Sequence, residues 1–243
     1  MHANSRVPQS AQTGIHEQLA RLLDRHRQAP YLKPYADYNR ATFESSMARR
    51  EALAPAAPLI LDAGCGIGAS SIALARAYPD HYVIGVDQSQ ARLARAQSRL
   101  RRQEGKAHAL PANLDLVRAD LVDYWRLLND AGIHPARHYL LYPNPWPKIG
   151  QLARRWHGHP IFPALLDLGG VLECRSNWKI YIDEFCFAVR QLTGHDARCE
   201  PYLPHEALTP FERKYLESGH MLYRTVVKCA AIAQTSLRSS SPG

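Results

Sequence analysis

The feature that most constrains this chain is a glycine-rich loop that directly follows a short apolar run. The run is PLILDAG (58–64), and glycines fill the alternate positions 64, 66 and 68. Glycine lets the backbone turn tightly and lets a ligand approach closely. A helix predicted from residue 69 would present the unpaired N–H groups of its first turn at the same place. A strand, a glycine loop and a helix in this order predict an α/β domain with a ligand site at the loop.

The rest of the chain continues the alternation of strands and helices. Apolar runs predict further strands at 81–87, 113–120, 137–143, 169–177, 196–203 and 220–230. Helical periodicity predicts helices at 15–28, 41–53, 69–78, 90–105, 122–130, 160–168 and 178–193. This alternation predicts a three-layer α/β sandwich around a mostly parallel sheet, and the last two strands can pair antiparallel across a short polar insertion.

The predicted organisation has four parts. We expect a disordered N-terminus over 1–14, an N-terminal helical extension over 15–57, the α/β domain over 58–234 and a disordered tail over 235–243. The net charge of +8 favours a polyanionic partner, nucleic acid first, over a generally basic soluble protein. The five cysteines are scattered without a CxxC pair, which argues against a disulfide framework or a metal site and favours a reducing cytoplasm. No apolar run approaches the roughly 20 residues that span a bilayer, so we expect no membrane partner. We also expect a monomer or homodimer.

Three acidic residues stand where successive predicted strands end: Asp62, Asp87 and Asp120. The carboxyl ends of parallel strands form the crevice that open α/β sheets use for ligands. The loop spacing is G-x-G-x-G, whereas a dinucleotide oxidoreductase, which stays an alternative, would carry G-x-G-x-x-G. The Asp62 carboxylate suits a ligand with positive charge, such as a sulfonium, and therefore favours S-adenosylmethionine. Asp87 can then accept from ribose hydroxyls and Asp120 from the adenine amine, although each acid can instead be a helix cap.

The segments LDAGCGIG, YVIGVDQS and VRAD together resemble the signature of class I S-adenosylmethionine-dependent methyltransferases. The resemblance implies a Rossmann-like sheet of seven strands that ends in an antiparallel hairpin, which agrees with the late strands predicted above. It also implies the cofactor-binding residues: Asp62, Gly64, Gly66 and Gly68 for the methionine part, Asp87 for the ribose and Asp120 for the adenine.

A stiff turn, YPNPWPK (142–148), follows the fourth predicted strand. Its three prolines rule out regular structure and hold neighbouring side chains with little entropy left to lose. Trp146 offers a flat face for a base, an interaction worth ~1–3 kcal/mol in single-strand binders. Lys148 can hold a phosphate or a base acceptor. Arg154 and Arg155 follow in RRWHGH and predict an RNA contact, the alternative being a solvated charged loop.

This wider pattern resembles the bacterial tRNA methyltransferases that make 7-methylguanosine. That family carries a proline–aspartate–proline–tryptophan turn, a nearby lysine and a basic run, matched here by Pro143, Asn144, Pro145, Trp146, Lys148, Arg154 and Arg155. The similarity continues in LGGVLECRSNWKIYIDEF (168–185) and in LTPFERK (208–214). It implies that Asn144, Trp146 and Lys148 present the acceptor, and that Asn177, Thr209, Phe211 and Glu212 line the substrate side. For Glu212 the alternative is a surface ion pair with Arg213.

Two positions depart from the family pattern, because Asn144 and Asn177 stand where the family has acids. An aspartate accepts two hydrogen bonds from the Watson–Crick edge of guanine, whereas asparagine has one accepting oxygen and an NH₂ that would face a donor. NPW also resembles a shortened Asn-Pro-Pro-aromatic motif of amino-group methyltransferases. A methyltransferase of an exocyclic amine or small molecule, and a non-catalytic RNA-binding relative, are therefore the alternatives to tRNA guanine methylation.

Overall fold

The computed structural model describes residues 5–95 and 110–229, and it contains the predicted sheet. Seven strands form one sheet in the order β3-β2-β1-β4-β5-β7-β6. In chain order they are β1 (Leu59–Ala63), β2 (Tyr82–Asp87), β3 (Leu114–Arg118), β4 (Arg137–Leu141), β5 (Gly170–Ser176), β6 (Glu200–Tyr202) and β7 (Leu222–Cys229). Strands β1 to β5 pair in parallel, and β7 pairs antiparallel with both β5 and β6. The prediction of a mostly parallel sheet with a C-terminal antiparallel hairpin is confirmed.

Helices cover both faces of this sheet. They include α1 (Leu19–Gln28), α2 (Asp37–Leu53), α3 (Ala69–Ala77), α4 (Leu121–Asp130), α5 (Phe162–Asp167), α6 (Lys179–Thr193) and α7 (Pro210–Glu217). The larger apolar core lies on the face covered by α1, α2, α4, α5 and α6, and includes the fully buried Trp125 and Phe185. A smaller core, with Ile60 and Val83, packs beneath α3. The result is the predicted three-layer sandwich.

Close packing of α3 on the sheet depends on a glycine in β2. A Cβ added at Gly85 would collide with the side chains of Ser71 and Leu116. The glycine therefore lets the first turn of α3 approach β2, which sets the height of the glycine-rich loop above the sheet.

Several predicted boundaries differ from the structure. The predicted strand 196–203 is reduced to Glu200–Tyr202, which pairs with Leu222–Arg224 at the edge of the sheet. Residues before it contact α6 instead of the sheet, since Arg190 donates to the backbone oxygen of Ala197. The second helix begins at Asp37 and not at residue 41. The predicted helix 90–105 is helical over 90–95, and its remainder, like the predicted tail 235–243, lies outside the described residues. Residues 5–14, which the sequence predicts as disordered, have no regular secondary structure but hydrogen-bond to later parts of the chain.

None of the helices within residues 5–95 and 110–229 combines the length and the apolar character that crossing a membrane requires.

Candidate active site

The glycine-rich loop and the proline-rich turn leave the sheet side by side. β1 pairs in parallel with β4, with Asp62 opposite Tyr139, so both strands end at the same edge. The strand order also reverses here, because β2 and β3 lie on one side of β1 while β4 and β5 lie on the other. Ligands of open α/β sheets bind at such a reversal, outside the carboxyl ends of the strands. The loop and the turn therefore flank one crevice.

The glycine-rich loop is built from left-handed residues. Gly64, Gly66 and Gly68 have φ values of 77°, 60° and 71°, which side chains with a Cβ rarely adopt. A Cβ added at Gly66 would point into open space, so the loop leaves room there for a ligand. α3 begins at Ala69, directly after the last glycine, and its first N–H groups have no partner within the helix. The loop therefore forms a concave backbone surface with hydrogen-bond donors at one end.

Asp62 holds the start of α3 in place. It is buried, and its Oδ2 accepts hydrogen bonds from the hydroxyls of Ser70 and Ser71, each at 2.6 Å. Burial raises the pKa of Asp62, and the two serine hydrogen bonds oppose that rise. Both hydroxyls use the same oxygen, which leaves Oδ1 for a donor on a ligand. The sequence reasoning missed Ser70 and Ser71, although they immediately follow the glycine pattern.

Asp87 closes the other side of the loop. Its Oδ2 accepts from the N–H of Gly66 at 3.0 Å and its Oδ1 accepts from the N–H of Ser89 at 2.8 Å. The exposed Arg92 places Nη1 3.6 Å from Oδ2. Each carboxylate oxygen can accept two hydrogen bonds, so Asp87 keeps capacity for ligand hydroxyls.

Asp120 caps a helix in the structure. Its Oδ1 accepts from the N–H of Val122 at 2.8 Å, at the N-terminus of α4. The buried Asn39 of α2 accepts from the N–H of Asp120 at 3.0 Å and donates to Asp123 at 2.6 Å. Nothing in the local sequence pointed to Asn39, because its partners lie more than 80 residues later. Helix α2 thus holds the segment that follows β3 beside the crevice.

The proline-rich turn carries two left-handed residues that are not glycine, Tyr142 (φ 52°) and Trp146 (φ 44°). Such residues are uncommon and persist only where their surroundings hold them, and they cluster at functional sites. Asn144 and Lys148 are exposed, and Trp146 is half-buried. The Asn144 Oδ1 accepts from the N–H of Trp146 at 3.4 Å. The exposed Arg154 stacks its guanidinium over the Trp146 ring at 4.8 Å.

Arg155 corrects a prediction. The sequence predicts it as an RNA contact, but its side chain is fully buried and pairs with Glu184 through Nη1 at 2.5 Å. Its Nε donates to the backbone oxygen of Trp146 at 3.2 Å, and its guanidinium lies over Trp178 at 4.9 Å. A guanidinium committed in this way cannot reach a phosphate in solvent. Arg155 supports the turn from behind, while Arg154 faces outward.

The environment of Glu212 also differs from both predictions, a substrate contact and a surface ion pair with Arg213. It is fully buried, and its ion-pair partner is Arg175 of β5 at 2.9 Å, not Arg213. Tyr142 donates to the same Oε1 at 2.7 Å, and the N–H of Leu208 donates to Oε2 at 2.7 Å. Glu212 is therefore linked to the proline-rich turn through Tyr142 and is not exposed itself.

The remaining predicted residues lie on or beside α7. Thr209 is its N-cap and accepts from the N–H of Glu212 at 2.9 Å. Phe211 is exposed and stacks on Tyr215 at 6.2 Å, which in turn stacks on His220 at 5.4 Å. Asn177 is buried, and its Nδ2 lies 3.1 Å from Nδ1 of His220. These contacts connect Asn177, His220 and Phe211 into one wall.

A second concave feature lies elsewhere. A groove of about 320 Å³ runs between α1, the connector to α2, α4 and α5, and is lined in part by Tyr31, Tyr35 and Arg126. None of the predicted site residues lines it. Within the described part of the chain, no three His, Cys, Asp or Glu side chains are grouped so as to hold a metal ion.

Comparison with known proteins decides the family. Residues 56–225 match the family model described as "Putative methyltransferase". The chain belongs to the class I S-adenosylmethionine-dependent methyltransferases. The tRNA (guanine-N(7)-)-methyltransferase of Acinetobacter baylyi is 26% identical over 183 residues, covering 72% of this chain and 71% of the relative. That of Anaeromyxobacter dehalogenans is 30% identical over 173 residues, covering 68% and 83%.

Solved methyltransferases share the fold. A 16S rRNA (adenine(1408)-N(1))-methyltransferase from Catenulisporales acidiphilia, crystallised with cosubstrate SAM, superposes with a TM-score of 0.53 at 19% identity. The match covers 84% of this chain and 95% of that one. At this identity the likeness is one of architecture, and it confirms the Rossmann-like class.

The cofactor of this methyltransferase is S-adenosylmethionine, and the residues at the crevice fit it. The open space above Gly66 admits a ligand against the backbone. The carboxylates of Asp62 and Asp87 suit a sulfonium, an ammonium and hydroxyl groups, because all of these carry positive charge or donate hydrogen bonds. A pyrophosphate would meet two buried carboxylates at the same place, which disfavours a dinucleotide.

Proposed function

We propose that this methyltransferase acts on nitrogen 7 of a guanine in tRNA. The observation that carries the proposal is the position of the proline-rich turn, which leaves β4 beside the cofactor loop of β1 and exposes Asn144, Lys148 and Arg154. The curated relatives with the name tRNA (guanine-N(7)-)-methyltransferase support the same substrate. The predicted cytoplasmic location and the predicted monomer or homodimer state belong to this proposal.

Methyl transfer to guanine N7 depends on the alignment of donor and acceptor more than on proton transfer. When bound, S-adenosylmethionine would supply a sulfonium methyl group to the lone pair of guanine N7, with S-adenosylhomocysteine as the leaving group. Guanine N7 carries no proton, so no general base is required. Orientation alone can contribute several kcal/mol to such a displacement. The rigid turn after β4 suits this task.

Four residues on or beside the turn have a role in that alignment. The Lys148 ammonium suits a phosphate or a base acceptor. The Trp146 ring offers a stacking surface, and Arg154 lies over that ring and brings a positive charge close to it. Asn144 can accept from one donor on the base edge.

The wall on α7 offers a second contact surface for RNA. Phe211 is 58% exposed and forms the outer end of the stack with Tyr215 and His220. An exposed aromatic ring that is already held by a stacked neighbour can take a base on its free face with little loss of side-chain entropy. We therefore assign Phe211 to substrate binding, whereas the buried Thr209 and Glu212 hold α7 in place.

A second candidate is a methyltransferase of an exocyclic amine. It is favoured by Asn144 and Asn177, which stand where the tRNA 7-methylguanosine methyltransferases carry acids. An asparagine oxygen accepts from an amine but cannot serve both donors of the guanine edge at once. The two candidates share the cofactor site and differ only in the atom that receives the methyl group.

Transfer of a labelled methyl group to unfractionated tRNA tests the proposal. We expect label in the RNA and 7-methylguanosine after digestion to nucleosides. Label on an amine of adenine or cytosine would establish the second candidate in its place. A protein that binds the cofactor and labels no RNA would contradict both.

Cofactor binding is measured separately by thermal unfolding. S-adenosylmethionine at 100 times its dissociation constant should raise the free energy of unfolding by ~2.7 kcal/mol. A protein that shows no stabilisation lacks the donor site, so the assignment of Asp62 and Asp87 would be wrong.

A further inference from the structure

We propose that residues 5–16, here called the N-terminal segment, position the proline-rich turn, with Gln12 and Glu184 as the positioning residues. The effect on methyl transfer rests on the proposed function, whereas the physical link from Gln12 to the turn does not. The segment contacts all three parts of the acceptor side, which are the α7 wall, the turn and the buried arginine behind it.

The outer end of the segment joins the α7 wall. The N–H of Ser5 donates to Oγ of Ser218 at 3.2 Å, and the backbone oxygen of Ser5 lies 3.0 Å from Nε2 of His220. The other ring nitrogen of His220 faces Asn177 at 3.1 Å. The segment is therefore connected to Asn177 through one imidazole.

The middle of the segment contacts the turn itself. The hydroxyl of Ser10 donates to the backbone oxygen of Pro147 at 2.5 Å. Pro147 separates Trp146 from Lys148, so this hydrogen bond falls between the two residues proposed to face the acceptor. Since a proline offers no N–H, its carbonyl is the only backbone group through which this residue can be held.

Glu184 anchors the inner end of the segment. Its Oε1 accepts from Nε2 of Gln12 at 2.5 Å and from the N–H of His16 at 3.0 Å. Its Oε2 accepts from Arg155 at 2.5 Å and faces Nε2 of His157 at 2.9 Å. Burial alone would raise the pKa of Glu184, but His157 and Arg155 outweigh burial and lower the pKa to about 2. The carboxylate is therefore ionised, with Oε1 holding the segment and Oε2 holding Arg155 and His157.

Arg155 connects Gln12 and Glu184 with the proline-rich turn. Its Nη1 donates to Oε1 of Gln12 at 3.0 Å as well as to Glu184, while its Nε donates to the backbone oxygen of Trp146. Gln12 thus holds both partners of the buried ion pair, with its oxygen on the arginine and its nitrogen on the glutamate. Trp146 has a left-handed backbone, which persists only when neighbours fix it. The arginine that supports Trp146 from behind is itself held in place by Gln12.

Hydrogen exchange of the turn tests the physical link without any substrate. Mass spectrometry would follow the backbone amides of residues 142–156 in the full-length protein with and without Gln12→Ala or Ser10→Ala. We expect exchange in this region to become about tenfold faster, because Gln12→Ala removes the charge-assisted hydrogen bonds to Arg155 and Glu184 and Ser10→Ala removes the hydrogen bond to Pro147. The matched control is Gln9→Ala, at an exposed position of the same segment. Unchanged exchange in both variants would overturn the proposal.

Enzyme kinetics distinguish a segment that positions the turn from a segment that obstructs the acceptor. Gln12→Ala should lower kcat for methyl transfer to tRNA by about tenfold while the dissociation constant of S-adenosylmethionine stays within about twofold. A higher kcat in the variant would show that the segment obstructs the acceptor, and the positioning role would be wrong. A wild-type protein that labels no RNA would defeat the proposed function, and the exchange measurement would still decide the role of Gln12.

Exchanging the carboxylate and the amide between positions 12 and 184 provides a rescue experiment. Gln12→Glu alone places a carboxylate against Glu184, where the present contact is 2.5 Å, and should release the segment. Combining it with Glu184→Gln returns one carboxylate and one amide to the pair, with the new carboxylate at position 12 facing Arg155. We expect the double variant to recover slow exchange of the turn relative to Gln12→Glu. A double variant that exchanges as fast as the single one would contradict the assignment.

Discussion

The hydroxyl of Tyr142 donates a 2.7 Å hydrogen bond to Oε1 of Glu212, 70 residues further along the chain. Arg175 donates to the same oxygen at 2.9 Å and to Glu173 at 2.7 Å. Burial and the bond to Glu212 raise the pKa of Tyr142, so the hydroxyl keeps the proton that it donates. Tyr142, the first residue of the proline-rich turn, is thereby bound to α7. The buried carboxylate of Glu212 thus connects the turn with the α7 wall.

Glu212→Ala should destabilise the protein by about 3–5 kcal/mol, because it leaves the buried guanidinium of Arg175 and the hydroxyl of Tyr142 without their shared acceptor. Urea unfolding gives this difference directly. Glu206→Ala, at an exposed position a few residues earlier, is the matched control and should stay close to wild type. A loss below ~1 kcal/mol for Glu212→Ala would mean that the pair contributes little to folding.

Asp87→Asn should weaken S-adenosylmethionine binding by about 10–100-fold, since an amide at this position loses a charged acceptor and turns an NH₂ toward the hydroxyls and N–H groups around it. Isothermal titration calorimetry measures the change. Asp80→Asn removes a similar charge from an exposed site at the far end of β2 and should bind normally. Equal affinities for the two variants would remove Asp87 from the cofactor site.

Asn144→Asp should raise kcat/KM for guanine in tRNA by about tenfold, because a carboxylate accepts two hydrogen bonds from the guanine edge and charge-assisted bonds are stronger. The assay is methyl transfer to tRNA followed by nucleoside identification. Gln28→Glu adds the same charge at an exposed position at the end of α1 and controls for repulsion of RNA. A fall in guanine methylation, with a gain on no other base, would show that Asn144 is already the suited residue.

Stability should fall as the pH drops below about 6.5, and His138 is one identified cause. Burial lowers its pKa to about 3 from 6.5, and its Nε2 accepts from Nε1 of Trp125 at 3.2 Å, so a proton there would face another donor. The unfolded chain therefore binds a proton between pH 6.5 and 3 that the folded chain refuses. The stabilising contribution is complete above pH 6.5 and decreases by about 1.4 kcal/mol per pH unit below it.

His138→Gln should flatten this dependence, because the amide oxygen can accept from Trp125 and carries no titrating group. Free energies of unfolding at pH 7, 6 and 5 provide the comparison. His205→Gln, at an exposed position, should keep the wild-type slope. If all three proteins showed one slope, His138 would not be buried in the neutral form.

Residues at strand ends were predictable because the sheet places them by geometry. Asp62 and Asp87 follow apolar runs, and parallel strands bring such positions to one edge. The sequence could not show that Arg154 and Arg155 have different environments, because they are adjacent residues of the same type. The structure exposes Arg154 and buries Arg155. The difference depends on Glu184, which lies 29 residues from Arg155 and on another element. Partners at that distance leave no local pattern.

The same limit applies to Glu212 and to the start of the chain. Arg213 is adjacent in sequence, yet the ion pair forms with Arg175 on β5, which reaches Glu212 only after the sheet has formed. Residues 5–14 are polar and lack periodicity, which favours disorder when the sequence is read alone. Their hydrogen bonds to Pro147, Arg155 and Glu184 depend on a surface that the folded domain provides.

The contact between Ser5 and Ser218 spans 213 positions, and it sets an order of events during protein synthesis. The ribosome makes the N-terminal segment first, but Ser218 and His220, which the outer end of the segment contacts, are made more than 200 residues later. The outer end of the segment can therefore dock only after residue 220 has been made, whereas its partners Pro147, Arg155 and Glu184 are made earlier. A chain interrupted before α7 is made would carry its cofactor loop and its proline-rich turn but would lack the α7 wall that Ser5 contacts.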